Sequence, residues 1–423
     1  MRGTGRRPRV LACGDVTRLF LPSPRLVATG SIVRGLRPWL LLAAAAALLF
    51  ALTPVTTPFN GPVLLANQFR HGIPYMPGTY RWMETYTIGG HTYLAYPPMV
   101  SAILVPAVLI FGHPLHQPTI NAALIIGAMV LLYLLLRSFD KSKNVASLGA
   151  IAYAFGTPMV FSAHRGDVWL LMHSEANFFL MLALYLGFVK RQHLLAGVAY
   201  MIAGQCRHAV LPFALTFALL IWQGRAADPG ASIATSTAAR IRGLAAFGFG
   251  ASLPSLAALV LQWWINGDPL ESPYMVLFNK AGSGRSYFSG EYLPRNLSFY
   301  TLARPQFSAE FPFLHFSYKG QSIWSMSPFF FGIFALSWRK WPASAPILGI
   351  LGGFGVYLVY WGTGYSQFGS RYLSDLYPGL VLVAFLGLGG RGRWRRVAVP
   401  ALVALSIFMN TYGTYIYDRY PRK

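Results

Sequence analysis

Acidic side chains are scarce in this chain, with 12 Asp and Glu against 35 Lys and Arg in 423 residues. The densest group able to do chemistry is Ser162-Ala163-His164-Arg165-Gly166-Asp167-Val168-Trp169, followed by His173 and Glu175. A carboxylate beside imidazole and guanidinium can take a proton or hold a cation, and the basic groups can hold a phosphate. The alternative is a self-neutralising turn at a membrane interface, with Trp169 in the aromatic belt. Glu84 lies in Arg81-Trp82-Met83-Glu84-Thr85-Tyr86, ahead of Tyr93-Leu94-Ala95-Tyr96-Pro97-Pro98. A lone loop glutamate is often merely solvated. The paired prolines are more telling, because they fix how the chain enters the next segment.

Arg207 and His208 sit in the middle of an apolar stretch, where a guanidinium needs an anion, either a phosphate or a carboxylate. Trp361-Gly362-Thr363-Gly364-Tyr365-Ser366-Gln367-Phe368-Gly369-Ser370-Arg371-Tyr372-Leu373-Ser374-Asp375 offers glycines for close approach of a ligand and a second guanidinium, Arg371. An Arg371–Asp375 ion pair, four residues apart, is the competing expectation. His164, Asp167 and His173 could coordinate zinc, but no His-x-x-x-His or Cys-x-x-Cys pair accompanies them. A divalent ion on Asp167 and Glu84 is left open; no metal site is expected. Cys13 and Cys206 cannot make a disulfide framework.

The elements that must position these groups are membrane helices. Apolar residues make up 55% and charged residues 11% of the chain, against about 25% charged in a soluble domain. Its apolar runs lack the alternation of a barrel strand. They fall near 38–55, 97–112, 118–136, 145–163, 174–189, 193–223, 243–265, 326–338, 343–361, 376–389 and 397–415. Residues 1–36 form a basic N-terminal tail, and eight arginines within 1–37 place it in the cytoplasm by the positive-inside rule. The short basic linkers at 137–144, 190–191, 225–242, 339–340 and 391–396 all fall inside only if one early run does not cross. That run is 97–112, interrupted by Pro97, Pro98 and Pro106. It is read as a non-spanning interfacial helix in a large outer loop, 56–117. The run 193–223 must cross twice, as a tilted or broken hairpin with its tip near Gln205–His208.

The expected fold class is all-α: a polytopic membrane domain over 37–423 with about eleven crossings and a second large outer loop, 266–325. On this topology 22 Lys and Arg lie inside, which accounts for most of the +23 charge without nucleic acid. Both outer loops are read as rich in aromatics and poor in regular periodicity. Most acids and histidines fall outside, so the working surface faces outward.

Read in order, several short motifs resemble the GT-C superfamily of membrane glycosyltransferases, which includes protein O-mannosyltransferases and aminoarabinose transferases. They are Tyr96-Pro97-Pro98 in a large first loop, Tyr153-Ala154-Phe155-Gly156-Thr157-Pro158 leading to His164–Trp169, Trp264-Ile265-Asn266-Gly267-Asp268-Pro269, and Gln367-Phe368-Gly369-Ser370-Arg371-Tyr372. The resemblance spans most of 37–390 and implies transfer of a sugar from a polyprenyl-phosphate donor to an extracytoplasmic glycan, lipid or protein acceptor. It implies Asp167 as the second-loop acid and Glu84 as a first-loop acid, either of which would serve as the catalytic base. Arg371, Arg207, His208 and Arg165 would bind the donor phosphate. His164, His173, Tyr93 and Tyr96 would contact acceptor or sugar. The chain departs from the family at Thr57-Pro58-Phe59-Asn60-Gly61, where these enzymes commonly carry an acid; Asn60 cannot be a base. The implied location is the plasma (inner) membrane, with membrane lipids around it. The rivals are a transporter or flippase of a lipid-linked substrate and a non-catalytic protein that binds lipid-linked sugar.

Overall fold

The computed structural model describes residues 29–54, 56–80, 82–112, 115–139, 141–224, 236–280, 286–336, 345–388, 393–417 and 419. Most of the basic tail 1–36, the linker 339–340, most of 225–242, Arg81, Arg391 and Asp418 lie outside those residues. The chain is mostly helical. Five helices are long and apolar enough to cross a membrane: Gln117–Ser138, Val168–Lys190, Thr237–Asn266, Arg371–Leu388 and Val397–Tyr417. Lys143–Phe155 and Met159–Arg165 make a sixth if taken as one span bent by 49°. The bend falls at Gly156-Thr157-Pro158, where the proline lacks an amide proton to continue the helix. Shorter apolar helices are Arg37–Ala51, Pro98–Phe111, His193–Cys206, His208–Gln223 and Ala345–Val359.

Side-chain contacts sort the helix ends into two levels. At one level Lys141 Nζ donates to the Leu386 carbonyl at 3.1 Å, and the rings of Phe139 and Phe188 lie 5.5 Å apart. His193 and Ile221 both crowd Gly243, so the run 193–223 does turn back on itself, breaking at Arg207–Pro212. Arg191, His193 and Arg240 line one small cleft at this level. At the opposite level Gln117, Asp167, Arg207 and Tyr417 stand at the ends of their helices.

The run 326–338 is not an α-helix among its described residues. It is a four-residue helical turn, Ile323–Met326, and a 3-10 segment, Pro328–Ala335, which runs beside Tyr377–Leu388. Phe330 meets Tyr377 at 5.7 Å, and Gly332 lies against Leu388 and the Ala384 carbonyl. A 3-10 segment rises about 2 Å per residue, more than an α-helix, so few residues cover a long distance.

The loop 56–117 is more regular than its sequence suggests. Residues 98–111 form two short helices, Pro98–Ala102 and Val105–Phe111, too short to cross together. Ahead of them stands a β-hairpin, β1 (Thr85–Ile88) and β2 (His91–Leu94), with Thr85 opposite Leu94 and Ile88 opposite His91. Its two-residue turn needs positive φ at both positions, and Gly89 and Gly90 supply +57° and +82°. Gly-Gly between alternating residues is a hairpin signal, and the pattern Thr-Tyr-Thr-Ile-Gly-Gly-His-Thr-Tyr-Leu carries it. The hairpin stands on the end of Thr237–Asn266, where Tyr86 donates to Asn266 Oδ1 at 2.6 Å. Burial raises the Tyr86 phenol well above its usual range, so it stays a donor.

Helices His193–Cys206 and Thr237–Asn266 approach through glycines, as small residues permit in membrane bundles. A Cβ on Gly250 would lie 2.0 Å from the Leu194 carbonyl oxygen, and one on Gly197 would lie 2.1 Å from that of Phe247. Gly250→Leu should force the pair apart and cost about 1–3 kcal/mol or more. Gly248→Ala, facing open space, should cost far less. Thermal melting of the two purified variants in detergent checks the difference, and equal melting would refute this packing.

Candidate active site

The turn between helices Met159–Arg165 and Val168–Tyr185 sets the first carboxylate. Gly166 ends the former in a left-handed conformation, φ +63°, and a Cβ there would lie 2.7 Å from Pro118. Gln117 Nε2 ties this turn to the first loop, donating to the carbonyls of Gly166 at 2.8 Å and Phe59 at 2.9 Å. Asp167 then starts the next helix, its carbonyl accepting from Leu170 and Leu171. Its side chain does not cap that helix. Thr57 Oγ1 donates to Oδ1 at 2.6 Å, and Arg165 Nε donates to Oδ2 at 2.9 Å.

The hairpin sets the second carboxylate. Its ladder continues with Ala95 N–H donating to the Glu84 carbonyl at 2.9 Å, which puts Glu84 beside Tyr96. Tyr96 OH and Trp169 Nε1 both donate to Glu84 Oε2, the latter at 2.9 Å. Burial and the adjacent carboxylate push the Tyr96 phenol well up, so it remains a donor. No hydrogen bond to Glu84 Oε1 is present among the described residues. Trp169 therefore links the two carboxylate sites, since it lies two residues beyond Asp167 and packs on Phe59 at 4.6 Å between ring centroids.

Two cavities meet at this point. The smaller, about 170 Å³, is lined by Tyr96, His173, Arg207, His208 and Tyr357, and reaches Ala258 and Gln262 on the Thr237–Asn266 helix. The larger, about 1000 Å³, is lined by Arg165, Asp167, Arg295, Lys319 and the 361–368 loop. Glu84, Trp169, Tyr274, Arg371 and Tyr372 belong to both linings. Arg371 forms no ion pair among the described residues, and its buried Nε has no hydrogen-bond partner.

Behind the smaller cavity lies a charged cluster that the sequence did not disclose. Asp375 has no exposed surface, yet it accepts from His173 Nδ1, from the Tyr357 hydroxyl and, at 2.9 Å, from Arg207 Nε. Arg207 Nη2 also donates to Tyr357 at 3.1 Å. The guanidinium groups of Arg207 and Arg371 lie 5.3 and 5.4 Å from the centre of the Tyr372 ring.

The expected Arg371–Asp375 pair is not formed. Residues Arg371–Leu376 are 3-10 rather than α-helical, so side chains three apart eclipse and those four apart diverge. Asp375 takes Arg207 instead. Of the other expected residues, Glu84, Asp167, Arg165, Arg371, Arg207, His208, His173 and Tyr96 line one or both cavities. His164 does not: its Nδ1 lies 3.2 Å from the Leu52 carbonyl, at the end of the first helix. Tyr93 does not either, being packed in the hairpin against Tyr86, Ile265 and Val276. Asn60 starts the helix Gly61–Phe69 and lines neither cavity. His164 and His173 are thus too differently engaged to share a metal with Asp167. Among the described residues no three of His, Cys, Asp and Glu gather as a metal site.

Sequence reading missed Tyr357 and Tyr274, whose only signal was the tyrosine richness around them, and quoted Tyr372 within a motif without giving it a role. Glu175, on the same helix as His173, is fully buried beside the Cys206 thiol.

No family model and no curated protein sequence matches the chain. Among solved structures, an archaeal oligosaccharyltransferase, AglB from Archaeoglobus fulgidus in complex with an inhibitory peptide and a dolichol-phosphate, is similar at 16% identity and a TM-score of 0.43. The match covers 91% of this chain and 55% of that one, so the chain spans about half the length of that protein.

Removing one member of a buried ion pair strands the other and costs about 3–5 kcal/mol. Arg207→Met should therefore destabilise the protein by that order, while Arg207→Met with Asp375→Leu should recover much of the loss. Melting of the single and double variants in detergent tests this. A double variant no more stable than the single would show that Asp375 is not the residue Arg207 neutralises.

Proposed function

We propose that this protein is a GT-C-like membrane glycosyltransferase, moving a sugar from a polyprenyl-phosphate-linked donor to a hydroxyl acceptor. The observation that carries the reading is the wall shared by two cavities. There Glu84, whose hydrogen bonds among the described residues all fall on Oε2, and Arg371, which forms no ion pair among them, stand together. The reaction needs those two groups, a base for the acceptor and a cation for the leaving phosphate. The smaller cavity, bounded by Arg207, Arg371 and the lipid-side helix Thr237–Asn266, takes the donor phosphate. The larger cavity, some sixfold more spacious, takes the acceptor.

In the transfer step Glu84 Oε1 accepts the proton of the acceptor hydroxyl as that oxygen bonds to the anomeric carbon. The bond from that carbon to the phosphate oxygen breaks, and its electron pair leaves on the lipid phosphate, which gains negative charge beside Arg371. Tyr96 and Trp169 fix the rotamer of Glu84 by holding its other oxygen. Asp167, with both oxygens already engaged, serves as a positioning residue that fixes Arg165 and the turn leading to Trp169.

The proposed topology has eleven crossings. Residues 323–336 make the eighth, the basic level carrying Lys141, Lys190, Arg191 and Arg240 is cytoplasmic, and the two cavities open on the outer face of the plasma membrane. Arg and Lys at the opposite level from the carboxylates support that orientation. The large loops 56–117 and 266–325 then stand outside, and the domain comprises 37–423.

Membranes containing the protein, supplied with radiolabelled polyprenyl-phosphate sugars, test the reading. Glu84→Gln should lower transfer by about 10²–10⁴-fold, and Arg371→Gln by about 10²–10³-fold, with Asp167→Asn losing less than Glu84→Gln. The opposite ranking of the two carboxylates would make Asp167 the base. Uptake or scrambling of lipid by vesicles, with no transfer from any donor, would favour a transporter instead.

A further inference from the structure

Resting on the reading of the larger cavity as the acceptor site, we propose that it is built for an acidic saccharide. Lys319 and Arg295 are the residues that select the anionic group.

The charges around the two cavities leave a surplus on one side. Among the described residues lining the larger cavity, the cations Arg165, Arg295, Lys319 and Arg371 face two carboxylates, Glu84 and Asp167. Asp167 is taken by Arg165 at 2.9 Å. Glu84 stands on the common wall with Arg371 and offsets it. Arg207, on the smaller cavity, is bonded to Asp375 at 2.9 Å. Arg295 and Lys319 are left, and neither makes an ion pair among the described residues. Both line the larger cavity and not the smaller, so the surplus belongs to the acceptor side.

Both cations are tied into the frame of the cavity. Asn296, fully buried in the helix Leu293–Leu302, donates from Nδ2 to the carbonyls of Tyr357, Leu358 and Tyr360. That fixes the helix against the end of Ala345–Val359 and sets Arg295 beside the next carbonyl. Arg295 Nη2 donates to Trp361 O at 2.5 Å and its Nε to Asn296 Oδ1 at 3.0 Å. At the other end of the loop, the buried Gln367 donates from Nε2 to the carbonyls of Lys319 at 2.6 Å and Thr363 at 2.7 Å. Its own N–H donates to the Tyr318 carbonyl at 3.0 Å. Gly320, at φ +99°, lets this strand pass so close to the Gly369 carbonyl that a Cβ would lie 2.1 Å from its oxygen. The loop 361–368 is thus held between Arg295 and the backbone of Lys319.

The remaining lining suits a sugar. Trp169, Phe299, Trp361 and Tyr365 line the same cavity, and flat aromatic faces with a polar edge pack on the C–H side of a pyranose. About 1000 Å³ is the upper end of small-molecule sites, with room for more than one ring. A neutral glycan leaves Arg295 and Lys319 facing only water. A carboxylate or phosphoryl group on the acceptor supplies the missing anion, and the positive wall both steers and selects it.

The test uses the full-length protein in nanodiscs of phosphatidylcholine, with binding read by tryptophan fluorescence. Two pairs of probes differ only in charge: trigalacturonate with its methyl triester, and maltotriose 6-phosphate with maltotriose. The acidic member should bind at least about fivefold more tightly than the neutral one, and less so as salt is raised from about 50 to about 300 mM. A preference in the first pair assigns a carboxylate, and one confined to the second assigns a phosphoryl group. Lys319→Gln and Arg295→Gln should each narrow the ratio with little change for the neutral probe, and Lys319→Arg should retain it. Equal binding within both pairs overturns the inference, as does a preference that survives in the Lys319→Gln, Arg295→Gln double variant. Either result leaves glycosyl transfer standing, because label leaving the donor pool is scored separately. Binding of none of the four probes overturns the inference too, and failure of labelled transfer alongside it overturns the reading on which it rests.

Discussion

A carboxylate with no exposed surface, set among apolar helices, persists only where its neighbours neutralise and hydrogen-bond it. Asp375 meets that condition with groups from three other parts of the chain: His173 from the helix beginning at Asp167, Arg207 from the break in the 193–223 hairpin, and Tyr357 from the end of Ala345–Val359. Each of those parts also supplies a wall of the smaller cavity. The ion pair thus fixes where three helix ends sit relative to one another, and the cavity is the space left between them. Arg371 occupies the first position of the segment that carries Asp375, so the same anchor determines where its guanidinium lies over the Tyr372 ring.

The other wall depends on a different device. A short hairpin turns at Gly89-Gly90 and brings Glu84 beside Tyr96, and the Gly166 turn brings Trp169 to the same carboxylate. Neither unit is a membrane helix. Both are held by backbone bonds at the loop level, where Gln117 ties two carbonyls together. Irregular backbone is tolerated at that depth because it lines a cavity and is satisfied by protein groups.

Much of this was legible in the residues. Long apolar runs gave the helices, the two prolines at 97–98 gave a short non-spanning segment, and the basic pair Lys190–Arg191 with the 225–242 linker required the 193–223 run to double back. Glu84, Asp167, Arg371 and Arg207 could be named because charged groups in so apolar a chain must have a purpose or a partner. What stayed hidden was which partner. Spacing four apart favoured Arg371–Asp375, but that rule belongs to the α-helix and the segment is 3-10. Arg207 and Asp375 are 168 positions apart, and no local pattern announces such a pair. His164 looked equivalent to His173 in sequence, yet one faces the end of the first helix and the other the buried carboxylate.

The proposed chemistry depends above all on a lipid-linked phosphate sitting at the wall shared by the two cavities, beside Arg371 and Tyr372. Photo-crosslinking measures this most directly, using a polyprenyl-phosphate sugar with a diazirine on its first isoprene unit and peptide mapping of the adduct. Label is expected in the peptides around 205–209, 258–262 and 356–372, and it should be lost when unlabelled donor is added. Competable label confined to the basic level around 137–143, 190–193 and 240–243 would contradict that placement.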